Sequence, residues 1–467
     1  MEKNKINLFW VFLFLPVLIW LMLKYASGMK FIAVFSLLII SSLILRPIYS
    51  LLPLVLFFWV PHSLNYLFLE EALVSAPAIE AISYVLLFLY ILISAIKKKD
   101  FLDDLLHTPL LGPIFIFIAG SLISFLFGNP DDRTYAYIIF RQNSFYALAI
   151  YLLTANIIED ARDATKIMVL LLISNVFLAS FVFYSYYFSN NMITVYSASR
   201  LSGEFSLHGK TLLNIGCIML GDQMASVIPL VVAFILLQTK FFYRILNILA
   251  LAIFSFILVS TGTRGAWFAA VVGAASVVYL LLRHKKGSVS SKAWIFTASI
   301  LLLLIILYAT QWSLQLNTYL ADRLESLRYI SKDISLLDRI DIWLSGLRAV
   351  FEYPLGMGFR EVYPLGSFVV YPHSLYVGVL LTSGLLGFVG LFSFLIFWIR
   401  KTLIYLKRID DNSRVFIIGA LGSTLAFLTY SIFEDPLYSP DIIMPTMWII
   451  WGTVAALWKR EFIHKKS

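Results

Sequence analysis

Residues 371–401 read YPHSLYVGVLLTSGLLGFVGLFSFLIFWIRK. From Ser374 to Ile399 the stretch carries no charge, and it is long enough to cross a hydrocarbon core about 30 Å thick. Pro372 precedes it, a residue favoured at helix starts. Arg400 and Lys401 close it, and cytoplasmic loops of membrane proteins collect such cations. His373 therefore stands at the outward end of an outside-to-inside helix.

The whole chain follows this pattern. Of 467 residues, 60% are hydrophobic and 13% charged, with a mean hydropathy of +0.87; soluble domains carry about 25% charged residues. The chain is read as an all-α, polytopic integral membrane protein. Its net charge of +9 is explained by orientation, so no nucleic-acid partner is implied. The one cysteine, Cys217, excludes an internal disulfide and any cysteine-rich metal site.

Further apolar runs fall at Leu8–Leu23, Phe31–Leu45, Leu51–Phe68, Ile79–Ile96, Pro109–Phe127, Phe145–Ile158 and Met168–Phe188. They continue at Met219–Leu237, Ile245–Ser260, Ala266–Leu282, Ala293–Ala309, Val415–Ile432 and Ile442–Leu457. Phe31–Leu45 and Phe145–Ile158 are short, so about twelve to fourteen spans are expected. The first run, after Lys3 and Lys5, has the look of a signal peptide ending at Ala26-Ser27-Gly28, but the alternation of the loops requires it as a span. With the N-terminus inside, Lys97–Lys99, Lys240, Arg283, Lys285, Lys286, Arg400, Lys401 and the tail from Lys459 to Lys466 all lie inside. Both termini are expected to be cytoplasmic.

Two long polar stretches then face outward, Ser189–Gly216 and Gln311–Pro372, on a single membrane domain covering 1–467. In the second, Leu336, Leu337, Ile340, Trp343, Leu344 and Leu347 recur at helical spacing, with Asp333, Asp338, Arg339, Asp341 and Arg348 between them. This predicts an amphipathic helix lying against something apolar, the bilayer surface or a cavity rim, as part of a helical outer cap.

Chemistry-bearing residues gather on the outward side. In Ser260-Thr261-Gly262-Thr263-Arg264-Gly265-Ala266-Trp267, Arg264 opens an incoming helix, where the macrodipole disfavours a cation. Two readings follow: Arg264 snorkels to lipid phosphates, or it binds an anion together with the helix N-terminus and the Gly265 backbone. His373 is either a surface residue capping a span or a neutral base, since a helix N-terminus disfavours imidazolium. His62 and His208 share its side.

Arg200, in Ser199-Arg200-Leu201-Ser202-Gly203-Glu204, is an outward cation or, in a helical turn, a partner of Glu204. Arg339 and Arg360 add two more cations, Arg339 among aspartates. Glu434-Asp435, with Asp441 nearby, reads as a solvated loop or, less favoured, a divalent-cation site. No Walker-type loop appears, so ATP is not expected. No His-x-x-x-His motif or cysteine pair suggests a transition metal. Charges within the apolar runs are almost lacking, which argues against an ion-coupled carrier.

The ordered set Arg200-Leu201-Ser202-Gly203, Thr261-Gly262-Thr263-Arg264-Gly265-Ala266-Trp267, Arg339-Ile340-Asp341-Ile342-Trp343, Pro354-Leu355-Gly356-Met357-Gly358-Phe359, Pro372-His373-Ser374-Leu375-Tyr376 and Thr382-Ser383-Gly384-Leu385-Leu386-Gly387 resembles the O-antigen ligase and polymerase family of bacterial envelope glycosyltransferases. The match runs over about residues 250–400. The family often has Asn after the histidine, where this chain has Ser374.

The resemblance implies a fold related to the C-type membrane glycosyltransferases, in the bacterial inner membrane. It implies metal-independent transfer, without cofactor, of an undecaprenyl-diphosphate-linked glycan at the periplasmic face. The acceptor would be lipid A–core for a ligase or a second lipid-linked glycan for a polymerase. Arg200 and Arg264 would hold the diphosphate and His373 would act on the acceptor, with Arg339, Arg360 and Tyr376 as supporting residues. A lipid-linked oligosaccharide flippase is the alternative from another class; it predicts charges facing a mid-membrane cavity, and often repeated halves.

Overall fold

The structure, a computed structural model, describes residues 78–97, 105–128, 132–188, 203–207, 210–237, 241–284, 334–360, 363–365, 368–409, 411–437 and 443–464, together with Ile48, Leu51 and Val55. The expected spans Leu8–Leu23, Phe31–Leu45 and Ala293–Ala309, most of Leu51–Phe68, and the stretch from Gln311 to Asp333 lie outside the described residues.

The helices in chain order are α1 (Ala78–Lys97), α2 (Leu111–Phe127), α3 (Arg133–Arg141), α4 (Ala147–Ile157), α5 (Ala161–Phe188), α6 (Cys217–Leu237), α7 (Phe241–Ser260) and α8 (Arg264–His284). There follow α9 (Ile334–Glu352), α10 (Leu375–Tyr405), α11 (Asp411–Tyr430) and α12 (Ile443–His464). Two antiparallel hairpins accompany them: β1 (Gly203–Leu207) with β2 (Lys210–Ile215), and β3 (Tyr363–Leu365) with β4 (Phe368–Val370). Among the described residues six helices are long and apolar enough to cross a membrane: Ala161–Ser180, Cys217–Leu236, Phe241–Ser260, Arg264–Arg283, Leu375–Tyr405 and Ser413–Tyr430. The protein is an all-α polytopic membrane protein.

The span expected at Phe145–Ile158 is part of something longer. A π-helical turn over Gln142–Tyr146 joins α3 to α4 without a break. The helical run from Arg133 to Ile157 is thus roughly 37 Å long at 1.5 Å per residue, enough to cross, although α4 alone is not.

Burial orders the bundle. The α6 span is 89% buried inside the protein and the α7 span only 28%, so α6 is central and α7 faces lipid. Lipid tails are as apolar as leucine, so spans associate through close packing and polar contacts rather than water exclusion. Gly120 of α2 meets the backbone of Gly387 on α10 with no room for a side chain. Beside that contact Ser121 and Ser383 share a hydrogen bond of 2.9 Å. Deeper in the bundle Gln223 donates to Asn175 at 2.7 Å and to Thr446 at 2.9 Å, tying α6 to α5 and α12.

One break in a span is filled by a loop. Gly384 lies inside α10 with φ 65°, which opens the bond that Leu385 N–H would donate to the Leu381 carbonyl. Leu385 N–H donates instead to Pro354 at 2.9 Å, and the Leu381 carbonyl accepts from Met357 N–H at 2.7 Å. Both orphaned groups are satisfied by residues 354–357, as the hydrocarbon region demands. Gly358 N–H then donates to Ser124 Oγ of α2 at 3.0 Å. The motifs Pro354–Phe359 and Thr382–Gly387 are therefore two halves of one joint. It seats the C-terminal end of α9 on α10, and a small apolar cluster of Ile342, Ala349, Met357, Tyr363, Val377 and Leu381 completes the seat.

Candidate functional site

Four helix ends and one turn meet at the end of the bundle where α10 begins. Leu375 N–H donates to the carbonyls of Ser431 (2.9 Å) and Glu434 (3.1 Å), so the turn after α11 is bound to the first turn of α10. Gly265, second residue of α8, packs against the Phe433 ring. Gly221, near the start of α6, packs against Thr261 and Thr263, and Thr263 Oγ1 reaches the Cys217 carbonyl at 3.5 Å. The N-termini of α6, α8 and α10 thus share one end, and their partial positive charges add there.

His373 and Arg264 are accordingly on the same side of the membrane. Arg264 opens α8, half-buried, one residue from the Gly265–Phe433 contact, and Phe433 adjoins Glu434 in the chain. His373 precedes the N-cap Ser374, which makes no side-chain capping bond. Its φ of 45° is a left-handed conformation that costs a non-glycine residue of order 1–3 kcal/mol and collects at functional sites.

What holds His373 is Glu434. His373 Nδ1 lies 3.4 Å from Glu434 Oε2, and Arg339 Nη2 donates to Glu434 Oε1 at 3.1 Å. The Tyr371 ring stands edge-on to the imidazole, centroids 4.7 Å apart, and Tyr371 donates through its hydroxyl to the Asp435 carbonyl at 2.9 Å. Trp343 Nε1 donates to the Pro372 carbonyl at 3.1 Å. With Nδ1–H directed at the carboxylate, the tautomer leaves the Nε2 lone pair free. Among the described residues Nε2 has no hydrogen-bond partner.

The reading of Glu434-Asp435 as a solvated loop is overturned. The Glu434 side chain is only 12% exposed. Asp435 is buried, accepts from Leu437 N–H at 3.1 Å and packs against Gly378. A guanidinium already faces Glu434, which removes the case for a cation there. Asp441 lies outside the described residues.

A second acid was missed. Asp222, near the start of α6, is buried, its Oδ1 has no hydrogen-bond partner, and it lies within electrostatic reach of both Glu434 and Arg339. A lone aspartate in the run Gly221-Asp222-Gln223-Met224 was the available signal, because ionisable residues inside spans are costly and rarely without function.

Of the remaining candidates, Arg339 sits in the array just described. Arg360 donates through Nε to the Met357 carbonyl at 3.3 Å, a bond within its own loop. Tyr376 donates to the Leu428 carbonyl at 2.9 Å, linking α10 to α11. Arg200, His62 and His208 lie outside the described residues. Glu204 is in strand β1, where it pairs with Asn214, so the helical i,i+4 geometry weighed for Arg200 and Glu204 does not apply.

A bundle of spans with a histidine, two acids and two arginines gathered at one end defines a multi-pass membrane protein with a polar site at the bilayer surface. The family model for O-antigen ligase matches residues 248–392. This stretch includes Arg264, α9, the joint at Gly384 and His373. The likeness to that family covers 145 of the 467 residues. No curated protein matches the chain.

Proposed function

We propose that the protein is an inverting glycosyltransferase that moves an undecaprenyl-diphosphate-linked polysaccharide onto a hydroxyl of lipid A–core, at the periplasmic face of the inner membrane. The observation that carries this reading is the Arg339–Glu434–His373 array beside the Arg264 turn.

The acceptor hydroxyl gives its proton to His373 Nε2 while its oxygen attacks the anomeric carbon. The bond from that carbon to the diphosphate oxygen breaks, and its electron pair leaves with the diphosphate. One in-line displacement inverts the anomeric centre. A positioned base of this kind is worth about 10²–10⁴ in rate. Glu434 fixes the imidazole and steadies the imidazolium that forms; Arg339 fixes Glu434. Arg264, with Arg200 and the converging helix N-termini, offsets the charge that grows on the leaving diphosphate. No metal, nucleotide or other cofactor is required for this sequence of steps. α9 limits the access of water, the competing acceptor.

The test supplies the purified protein with undecaprenyl-diphosphate glycan, with and without lipid A–core, alongside His373→Ala and Arg264→Ala. A glycan on lipid A–core, lost in both variants, supports the ligase. The same array serves a polymerase of the same family equally well, and a ladder of longer lipid-linked chains made without lipid A–core would identify that reaction. Movement of the carrier across the bilayer with no new glycosidic bond would refute both and favour a flippase.

A further inference from the structure

Helix α9 carries three different faces. At 100° per residue, Ile342, Gly346 and Ala349 form the face against the protein, all buried, with Arg339 beside them bonding Glu434. Arg348, Asp341, Glu352 and Asp338 form a second face, all exposed. Leu337, Ile340, Leu344, Leu347 and Phe351 form a third, roughly 80° wide. Four of these five are 39–49% exposed and Phe351 is 89% exposed. The helix predicted from the apolar spacing therefore packs on the protein through a narrow side and leaves most of its large apolar residues uncovered. Contiguous apolar surface of this kind marks a contact face.

The structure indicates the occupant. The stripe does not end with the helix, because Tyr353 and Leu355 continue it at 48% and 53% exposure. The Leu355 carbonyl is lodged against Gly384, and Pro354 accepts from Leu385 N–H. There the stripe joins the exposed Leu385, Leu386 and Val389 of span α10 and Leu126 and Phe127 of α2, which are lipid-facing surface. A helix with one side on protein, one charged and one apolar and continuous with the lipid face of its neighbours has the geometry of an interfacial helix.

We propose that α9 lies at the bilayer surface, sloping from the headgroup level beside Glu434 to the acyl-chain level at the Gly384 break, with its Leu337–Phe351 stripe against the acyl chains. Arg348, at the border between the apolar and charged faces, reaches the lipid phosphates. Since α9 also holds Glu434 through Arg339 and Pro372 through Trp343, this contact fixes the height of His373 relative to the membrane surface.

The test is a depth measurement, independent of any reaction. In a Cys217→Ser background, single cysteines replace Leu344 and Leu347 on the stripe and Asp338 and Asp341 on the charged face. Each is labelled with a small fluorophore and the full-length protein is reconstituted in phosphatidylethanolamine–phosphatidylglycerol vesicles. Labels at 344 and 347 are expected to be quenched at least threefold more by acyl-chain nitroxide lipids than by aqueous iodide, with the reverse order at 338 and 341. Equal iodide quenching at all four positions would overturn the proposal. So would stripe labels that neither quencher reaches, which would mean that another part of the chain or a second copy covers the face. Two positions per face keep the comparison alive if one variant fails to fold.

Discussion

Arg339 and Glu434 stand 95 positions apart in the chain and meet at 3.1 Å, the guanidinium Nη2 donating to Oε1. The other carboxylate oxygen faces His373 Nδ1. One acid therefore joins α9, the turn after α11 and the entry to α10, so the imidazole is set by two elements other than its own. His373 also holds a left-handed backbone conformation. These features fix the position of the imidazole, and each of them can be removed singly by substitution.

Glu434→Gln keeps the shape and removes the charge. The amide can still accept from Arg339 but cannot stabilise an imidazolium. Glycan transfer is expected to fall by about 10–10²-fold, the range for losing a partner that orients a functional histidine. His373→Ala should fall further, by about 10²–10⁴. Initial rates with saturating donor check both, and an unchanged rate in Glu434→Gln would remove the acid from the mechanism.

Arg339→Met leaves the Glu434 carboxylate without its guanidinium in a largely buried position. The side chains are 24% and 12% exposed, so the cost should be about 1–3 kcal/mol, below that for a fully buried pair. Adding Glu434→Gln to Arg339→Met should restore thermal stability and leave transfer low. The coupling is read from a double-mutant cycle on melting temperature in detergent. Arg339→Lys is not expected to rescue, because an ammonium lacks the planar fork that meets a carboxylate.

Much of this was legible in the chain, and the limits have physical causes. The described spans could be read because a membrane helix depends mainly on its own apolar residues. Thr261–Trp267 and His373 stood out because charged and titratable groups beside apolar runs are conspicuous. Glu434 was read as a solvated loop because burial of a turn residue is a tertiary property; nothing local foretells Arg339 arriving from far upstream. Asp222 was passed over because one carboxylate scarcely alters the hydropathy of its run. The motifs at Pro354 and Gly384 were visible as strings, but their meaning is a hydrogen-bond exchange between a loop and a broken helix. Arg360 and Tyr376, the supporting residues that the resemblance implies, bond to the Met357 and Leu428 carbonyls.

Arg264→Ala is expected to lower transfer by about 10²–10³, as for a lost oxyanion donor. Donor affinity should fall less than the rate, since the leaving charge is largest in the transition state. Arg264→Lys should recover part of the rate, because a point charge still offsets the diphosphate. The kcat and KM for the lipid-linked donor separate the two effects. A raised KM with kcat unchanged would assign Arg264 to ground-state binding alone.

Gly384→Ala tests whether the joint between α9 and α10 is architecture. A methyl group there would meet the Leu355 carbonyl and the Gly356 amide, both backbone, which cannot swing aside as a side chain can. The φ of 65° adds strain for any L side chain, of order 1–2 kcal/mol. The loop must therefore leave the break, exposing Leu385 N–H and the Leu381 carbonyl to lipid at several kcal/mol each. Gly112→Ala is the control, since nothing lies within 4 Å of the added carbon and alanine is the better helix former by up to about 1 kcal/mol. Gly384→Ala should lower the melting temperature sharply and expose the 354–358 loop to protease, whereas Gly112→Ala should leave both near the parent values. A Gly384→Ala protein as stable as the parent would mean that the loop does not carry the helix across its break.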